Sequence, residues 1–363
     1  MNVLIIGQNT KMAKVFGTIP SKVYILVENE ADYYRPYYEL SEYITIESST
    51  KITSFRGIFQ RCHEIGKIIE EHYIDVILSN EKSSMIAAYM SFTLLAKRHV
   101  ILLSTSHNSY AWNNPWKVRA FSRLIRICTH GYISLASFVT ESLINNKVNP
   151  QKILTITNPA ELGLFDFKIS YNILQSCPSA IYVGVQNEGK GQLTLIKAVK
   201  LLKDRGLLIH VSLVGDIINE EYHRRNLDYV KNNNLDSNIQ FLGKVDNIVL
   251  RKTISTYDIY VCPSEMEMSP YNILEAKSAG MPIIASSVGG IPDIISDGED
   301  GLLVPAKSER DLADAIELLL KEDKLRKKIG ESAYKKAISI HSPEFLANKI
   351  REFISLISAS SEK

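Results

Sequence analysis

Short apolar runs recur along this chain at intervals too long for hairpins and long enough for a helix. Val3–Ile6, Val23–Val27, Ile74–Leu78, Val100–Leu103, Tyr132–Leu135 and Ile153–Ile156 form a first series. Ala180–Val183, His210–Val214, Ile239–Leu242, Asp258–Val261, Pro282–Ala285 and Gly301–Val304 form a second. Strands buried on both faces read as continuous apolar runs, and parallel neighbours need a crossover, usually a helix. Amphipathic or polar stretches separate most of the runs, among them Ile58–Glu71, Ser84–Ala96 and Gln192–Leu202, and Glu309–Lys321 follows the last. The rhythm predicts an α/β chain of two Rossmann-like domains with parallel sheets, joined near Asn158–Pro178. Residues 1–165 form the first domain and 166–340 the second. The segment 341–363 is expected to pack back towards the first domain, with a helix over Ser342–Ile357 opened by its Ser-Pro pair. Ligands of such open sheets bind beyond the carboxyl ends of the strands, so two domains facing each other would enclose a cleft.

Length agrees with this reading, since 363 residues hold two domains at roughly 150 residues each. A net charge of +2 gives no global case for nucleic acid, and none is expected as a partner. Cys62, Cys128, Cys177 and Cys262 are scattered, without a CxxC pair or metal-ligand spacing, which suits a reducing cytoplasm. Met1–Gly7 lacks the basic and long apolar regions of a signal peptide, and no run approaches the ~18 apolar residues of a membrane span. A cytoplasmic location is expected, with peripheral contact at the inner face of the plasma membrane left open. Residues 116–130 bear on that point: Ala120, Phe121, Leu124, Ile125 and Cys128 share one helical face, with Lys117, Arg119, Arg123 and Arg126 around the remainder. Such a stretch docks on anionic lipid or a lipid-diphosphate, or equally covers a Rossmann sheet with its charges outward.

The densest chemistry lies between Asp258 and Ala306. A strand ends at Cys262-Pro263-Ser264, Glu267 follows in the loop, and Ser269-Pro270 predicts a helix start, Ser as cap and Pro at the first helical position. The amides of Tyr271, Asn272 and Ile273 then form a site for phosphate oxygens. Glu267 and Glu275 fall on either side of it and could accept hydrogen bonds from sugar and ribose hydroxyls. By spacing alone they also read as a surface loop acid and a solvated helix residue.

Pro263-Ser264, the pair Glu267 and Glu275, Ala276–Pro282, Ser287–Asp293, Asp297-Gly298 and Gly301–Pro305 follow one another as in glycosyltransferase family 4, which this stretch closely resembles. The resemblance implies the GT-B architecture and a retaining, hexosyltransferase-type reaction on a nucleoside-diphosphate sugar, UDP favoured over GDP. It implies no cofactor and no metal. Glu267 would contact the donor sugar, Glu275 the ribose, and Tyr271, Asn272 and Ile273 the diphosphate. Tyr182-Val183-Gly184 and Lys190-Gly191 are similar to the family's phosphate-binding strand, loop and helix, so Gly184 and Lys190 would face the phosphates. An ammonium there stabilises the charge that builds on the leaving group. Where the family places Arg after that Gly, Val185 and Gln186 stand here; part of the cationic clamp is missing or supplied elsewhere. Phe241–Val245 matches a loop near the base, which brings in Val245. His107, past the strand Val100–Leu103, matches the family's strand-end His and implies contact with the donor sugar. With Glu267 and Lys190 it completes the implied catalytic group. Gly7 closes the first strand where a Gly-bearing loop approaches the donor phosphates, and Asn158-Pro159 matches the family's junction Asn-Gly imperfectly. The first domain would bind the acceptor, a glycan or a lipid-linked sugar, as in surface polysaccharide biosynthesis, and the second the donor. A non-catalytic GT-B subunit supporting a partner transferase, a nucleotide-sugar epimerase or a phosphorylase remain alternatives. No GxGxxG follows a strand, which speaks against a dehydrogenase.

Overall fold

The computed structural model describes residues 1–6, 10–18, 22–28, 44–48, 55–79, 82–94, 100–106, 126, 129–168, 170–171 and 177–361. Its contacts divide the chain into one unit of Met1–Pro159 with Pro343–Lys363, and a second of Ala160–Ser342.

In the first unit β1 (Asn2–Ile6), β2 (Lys22–Glu28), β3 (Ile44–Ser48), β4 (Val76–Ser79), β5 (Ile101–Ser106), β6 (Gly131–Ser134) and β7 (Ile153–Thr155) form one sheet. Their order is β3-β2-β1-β4-β5-β6-β7, and every pairing is parallel. Helices α1 (Thr10–Gly17), α2 (Phe55–Glu71), α3 (Lys82–Leu94) and α4 (Ser137–Asn145) accompany them. Strand β1 shows why the sequence runs are continuous. Val3 and Ile5 enter a core with Met12, Val15 and Phe16 of α1, while Leu4 and Ile6 enter another with Ile65 and Ile69 of α2 and Ala87 of α3. Alternate side chains point to opposite faces, and both faces are covered. Strand β3 is a seventh strand where the sequence predicts six. It lies at the sheet edge with Ile44 44% exposed, and its Ile-Thr-Ile-Glu alternation lacks the continuous run of the central strands.

The second unit repeats the plan. Its elements are β8 (Ser179–Val183), α5 (Gln192–Asp204), β9 (His210–Val214), α6 (Glu220–Asn232), β10 (Ile239–Gly243), α7 (Asn247–Thr253), β11 (Ile259–Cys262), α8 (Tyr271–Ser278), β12 (Ile283–Ser286), α9 (Ile291–Ile294), β13 (Leu302–Val304), α10 (Glu309–Lys321) and α11 (Asp323–Ile340). The strand order is β10-β9-β8-β11-β12-β13, again parallel throughout. The order reverses between β8 and β11, so the crevice at their carboxyl ends is the place where ligands of such sheets bind. Helix α8 starts at Tyr271 with Pro270 as N-cap in an extended conformation (φ −68°, ψ 119°) and no side-chain cap bond. This corrects the expectation of a Ser269 cap with proline inside the helix. Helix α11 escaped the sequence reading because its inward face includes a charge: Arg326 is fully buried and donates to the carbonyls of Tyr171 (2.8 Å) and Leu319 (2.5 Å).

The chain returns to the first unit in α12 (Pro343–Ser361), whose Leu346, Ala347, Ile350, Phe353, Ile354 and Ile357 join Val3 and Ile5 in one core. The division falls at Pro159 rather than 165 because Glu161 pairs with Arg251 (2.9 Å) and Phe165 packs into the second core.

Candidate functional site

The loops leaving β8 and β11 are joined to each other. Gly184 N donates to Val214 O (2.8 Å), and the chain passes through a single 3-10 turn, Glu188–Lys190, before Gly191 opens α5. Gly191 has φ 70°, and a Cβ there would lie 1.9 Å from Pro263 O, so only glycine lets the two loops meet. Glu265 N donates to Gly189 O (2.9 Å) beside it. This closure brings Lys190 to Glu267, with Nζ 2.6 Å from Oε1. The same oxygen accepts from Ser264 Oγ (2.9 Å). Asn272, at the start of α8, donates from Nδ2 to Val183 O (2.7 Å), so the helix N-terminus is fastened to the end of β8.

Gly184, Lys190, Glu267 and Asn272 therefore converge at the reversal of strand order, although Gly184 and Asn272 are linked to it through backbone. A Cβ at Gly184 would lie 2.2 Å from the Tyr182 hydroxyl. Ile273 is fully buried, and its amide donates to Asn272 Oδ1 (2.9 Å), so a ligand would have to displace that contact to use it. Tyr271 is half-buried at the first residue of α8, and Glu275, half-buried, lies in its second turn. Val245 follows β10 and packs partly buried against the core. Gly7 and His107 lie outside the described residues, as does most of 116–130. Arg126, from that stretch, donates to Asn146 O.

Beneath the Lys190–Glu267 pair the structure is buried and neutral. Burial, reinforced by the negative charge of Glu267, pushes the Cys262 thiol up to about 12. Burial first, then neighbouring charge, holds the Tyr182 and Tyr260 phenols well above their ordinary range. A floor of low polarizability strengthens the field of charges placed on it. At the departure from the family pattern, Gln186 is turned inward at 1% exposure, its Oε1 2.5 Å from Nδ1 of His223. The His223 ring meets Phe241 edge-on at 5.1 Å, and Gln186 O accepts from the amides of Ile218 and Asn219. Gln186 thus ties the loop to α6 and brings no charge, which leaves Lys190 the one cation between Gly184 and Gly191. Sequence reasoning named Ser264 only as part of the family run and Gln186 only as a departure from it, and it assigned neither a bonding role. Among the described residues no group of three or more His, Cys, Asp or Glu could hold a metal ion. No helix among them is long and apolar enough to cross a membrane.

Two Rossmann-like units, each with a parallel sheet, define the chain as a protein of the GT-B fold. It is similar over 98% of both chains to a glycosyltransferase from Rickettsia africae, with a TM-score of 0.81 at 19% identity. It is also similar, over 98% of this chain and 99% of the other, to the Anabaena protein HepE in complex with UDP and glucose, with a TM-score of 0.74 at 15% identity. Residues 168–336 match the family described as Glycosyl transferases group 1, so the second unit carries a domain of that family and the chain is a GT-B glycosyltransferase. An uncharacterised glycosyltransferase of Methanocaldococcus jannaschii is 27% identical over 302 residues, 81% of each chain.

Proposed function

We propose that this glycosyltransferase moves a hexose, with retention, from a UDP-sugar to a glycan or lipid-linked acceptor, in surface polysaccharide biosynthesis and without a metal. The observation that carries the reading is the Lys190–Glu267 pair at the strand-order reversal of the second unit. A diphosphate there draws the Lys190 ammonium and the first amides of α8, two sources of positive charge among the described residues. Glu267 accepts from a sugar hydroxyl and Glu275 from the ribose. The Val245 loop lies by the base, and Gly7 and His107 of the first unit approach the phosphates and the sugar. The acceptor oxygen bonds to the anomeric carbon on the face the diphosphate leaves, the carbon–oxygen bond to the β-phosphate breaks, and the acceptor proton passes to the departing diphosphate. No enzyme nucleophile takes part. The first unit binds the acceptor, and the basic stretch 116–130 holds the enzyme at the inner membrane face. UDP is favoured because the similarly folded HepE is in complex with UDP.

Gln186, buried and uncharged where a second cation is expected, supports one competing reading, a non-catalytic subunit for a partner transferase. Calorimetric titration of UDP and GDP decides between them. UDP should bind the wild type, and Lys190→Ala should weaken it by about tenfold to 150-fold, the scale of one hydrogen bond to a charged group. Glu275→Ala should weaken it as well. A chain that binds neither nucleotide is the non-catalytic subunit.

A further inference from the structure

We infer that Ser264 is a positioning residue, which keeps Glu267 aimed at the donor sugar when Lys190 is drawn to the diphosphate. The inference rests on the donor-site reading above. Lys190 Nζ (2.6 Å) and Ser264 Oγ (2.9 Å) donate to the same oxygen, Oε1 of Glu267. The two donors differ in freedom. Lys190 has a four-carbon stem, stands at the end of one 3-10 turn, and its side chain is 30% exposed. Ser264 has a single rotatable bond before its oxygen, lies two residues beyond β11, and is 0% exposed.

A diphosphate competes with the carboxylate for the ammonium, and the mobile partner is the one that changes sides. Glu267 is then a carboxylate whose side chain is only 10% exposed and which has lost its cation. A carboxylate so enclosed has to keep a donor or turn away. Ser264 is the donor that stays. Its hydroxyl fixes Oε1 from below, while Gly290 N holds the Glu267 carbonyl (3.1 Å). Oε2 receives no hydrogen bond from the described residues, so it is the oxygen presented to a sugar hydroxyl. Cys262 Sγ, 3.6 Å from Ser264 Oγ, is too weak a donor to take over the task.

The test uses the full-length chain with Ser264→Ala, Ser264→Thr and Lys190→Ala. UDP affinity is measured by calorimetry, and kcat and KM by UDP release from UDP-glucose, UDP-galactose and UDP-N-acetylglucosamine. Ser264→Ala should keep the wild-type Kd for UDP within about twofold and lower kcat on the accepted donor by about tenfold to a hundredfold. Ser264→Thr, which keeps the hydroxyl, should recover most of that loss. Turnover by Ser264→Ala within twofold of wild type overturns the inference. Parallel loss of UDP binding and turnover, which marks a merely structural serine, overturns it too. Intact UDP binding by Lys190→Ala, or a wild type that turns over none of the three donors, is the distinct failure of the donor-site reading, and it removes the inference as well.

Discussion

Glu267 is held by its backbone as tightly as by its side chain, and the residue responsible is Gly289. Its φ is 55°, and a Cβ there would lie 1.8 Å from the Glu267 carbonyl oxygen, a backbone atom that cannot swing aside. Gly298 provides the comparison within the same unit: φ is 71°, and nothing lies within 4 Å of a Cβ built on it. Gly298→Ala should cost only the left-handed backbone preference, about 1–2 kcal/mol. Gly289→Ala bears that cost and must also move the Glu267 carbonyl, which breaks the bond from Gly290 N. Urea unfolding should therefore show a larger loss for Gly289→Ala, with donor turnover lowered in that variant alone. Equal losses with equal turnover would mean that the loop absorbs the methyl group, and that its close approach to Glu267 has no consequence.

Across elements, the second unit is fastened by charge as well as by apolar packing. Lys277 of α8 and Asp300, before β13, are both fully buried with Nζ 2.7 Å from Oδ2, and Lys277 also donates to Ile294 O at the end of α9 (2.6 Å). Asp300 Oδ1 accepts from Ser296 N (2.7 Å) and from Lys336 of α11 (3.2 Å). Taking Asp300 away strands the buried Lys277 ammonium without a counter-charge, at about 3–5 kcal/mol, and taking Lys277 away leaves Asp300 only Lys336 and the Ser296 amide, whereas replacing both with apolar residues removes the buried pair altogether. Asp300→Leu or Lys277→Met alone should be strongly destabilising in chemical unfolding, and the double variant should recover part of the loss; additive losses would contradict the pairing. This cluster also shows what a sequence can and cannot disclose. The central strands are legible because burial on both faces forces continuous apolar runs, and Glu309–Lys321 because its period is regular. Lys277 and Arg326 look like solvated positions, since nothing in a single sequence tells a buried, partnered cation from an exposed one, and α11 is lost with them. The edge strand β3 fails for the opposite reason, its half-exposure leaving too weak a pattern. At the site, Glu267 is legible from a resemblance that runs through Pro263–Pro305, and Lys190 from the shorter match at Tyr182–Gly184 and Lys190-Gly191. The roles of Ser264 and Gln186 depend on which way short side chains turn, and that is settled by packing.

At the scale of the whole chain, the two crossings between units are bonded to one another. Ala160, which opens the second unit, donates its amide to the carbonyl of His341 (2.8 Å), one residue before that unit ends. The His341 ring is 2% exposed. Burial, followed by repulsion from the Lys277 ammonium, lowers its pKa from 6.5 to about 3. A histidine depressed in this way is neutral in the folded chain at pH values where the unfolded chain takes up a proton. Stability is thus unaffected above the unfolded pKa and falls as the pH drops through it, by about 2 kcal/mol at pH 5, with the decline continuing towards pH 3. The Asp300 carboxyl, which burial pushes up but Lys277 and its other partners bring below the ordinary 3.8, adds its own loss as the pH falls through that value, so the two windows overlap only at their acid end and the range between pH 7.5 and 5 is free of Asp300. Urea unfolding of the second unit, followed between pH 7.5 and 5, should show this slope in the wild type. In His341→Gln the slope should be reduced by the share of the one missing histidine. A wild type equally stable at both ends of that range would mean that the ring takes up its proton in the folded chain, and that the junction opens to water without unfolding the domain behind it.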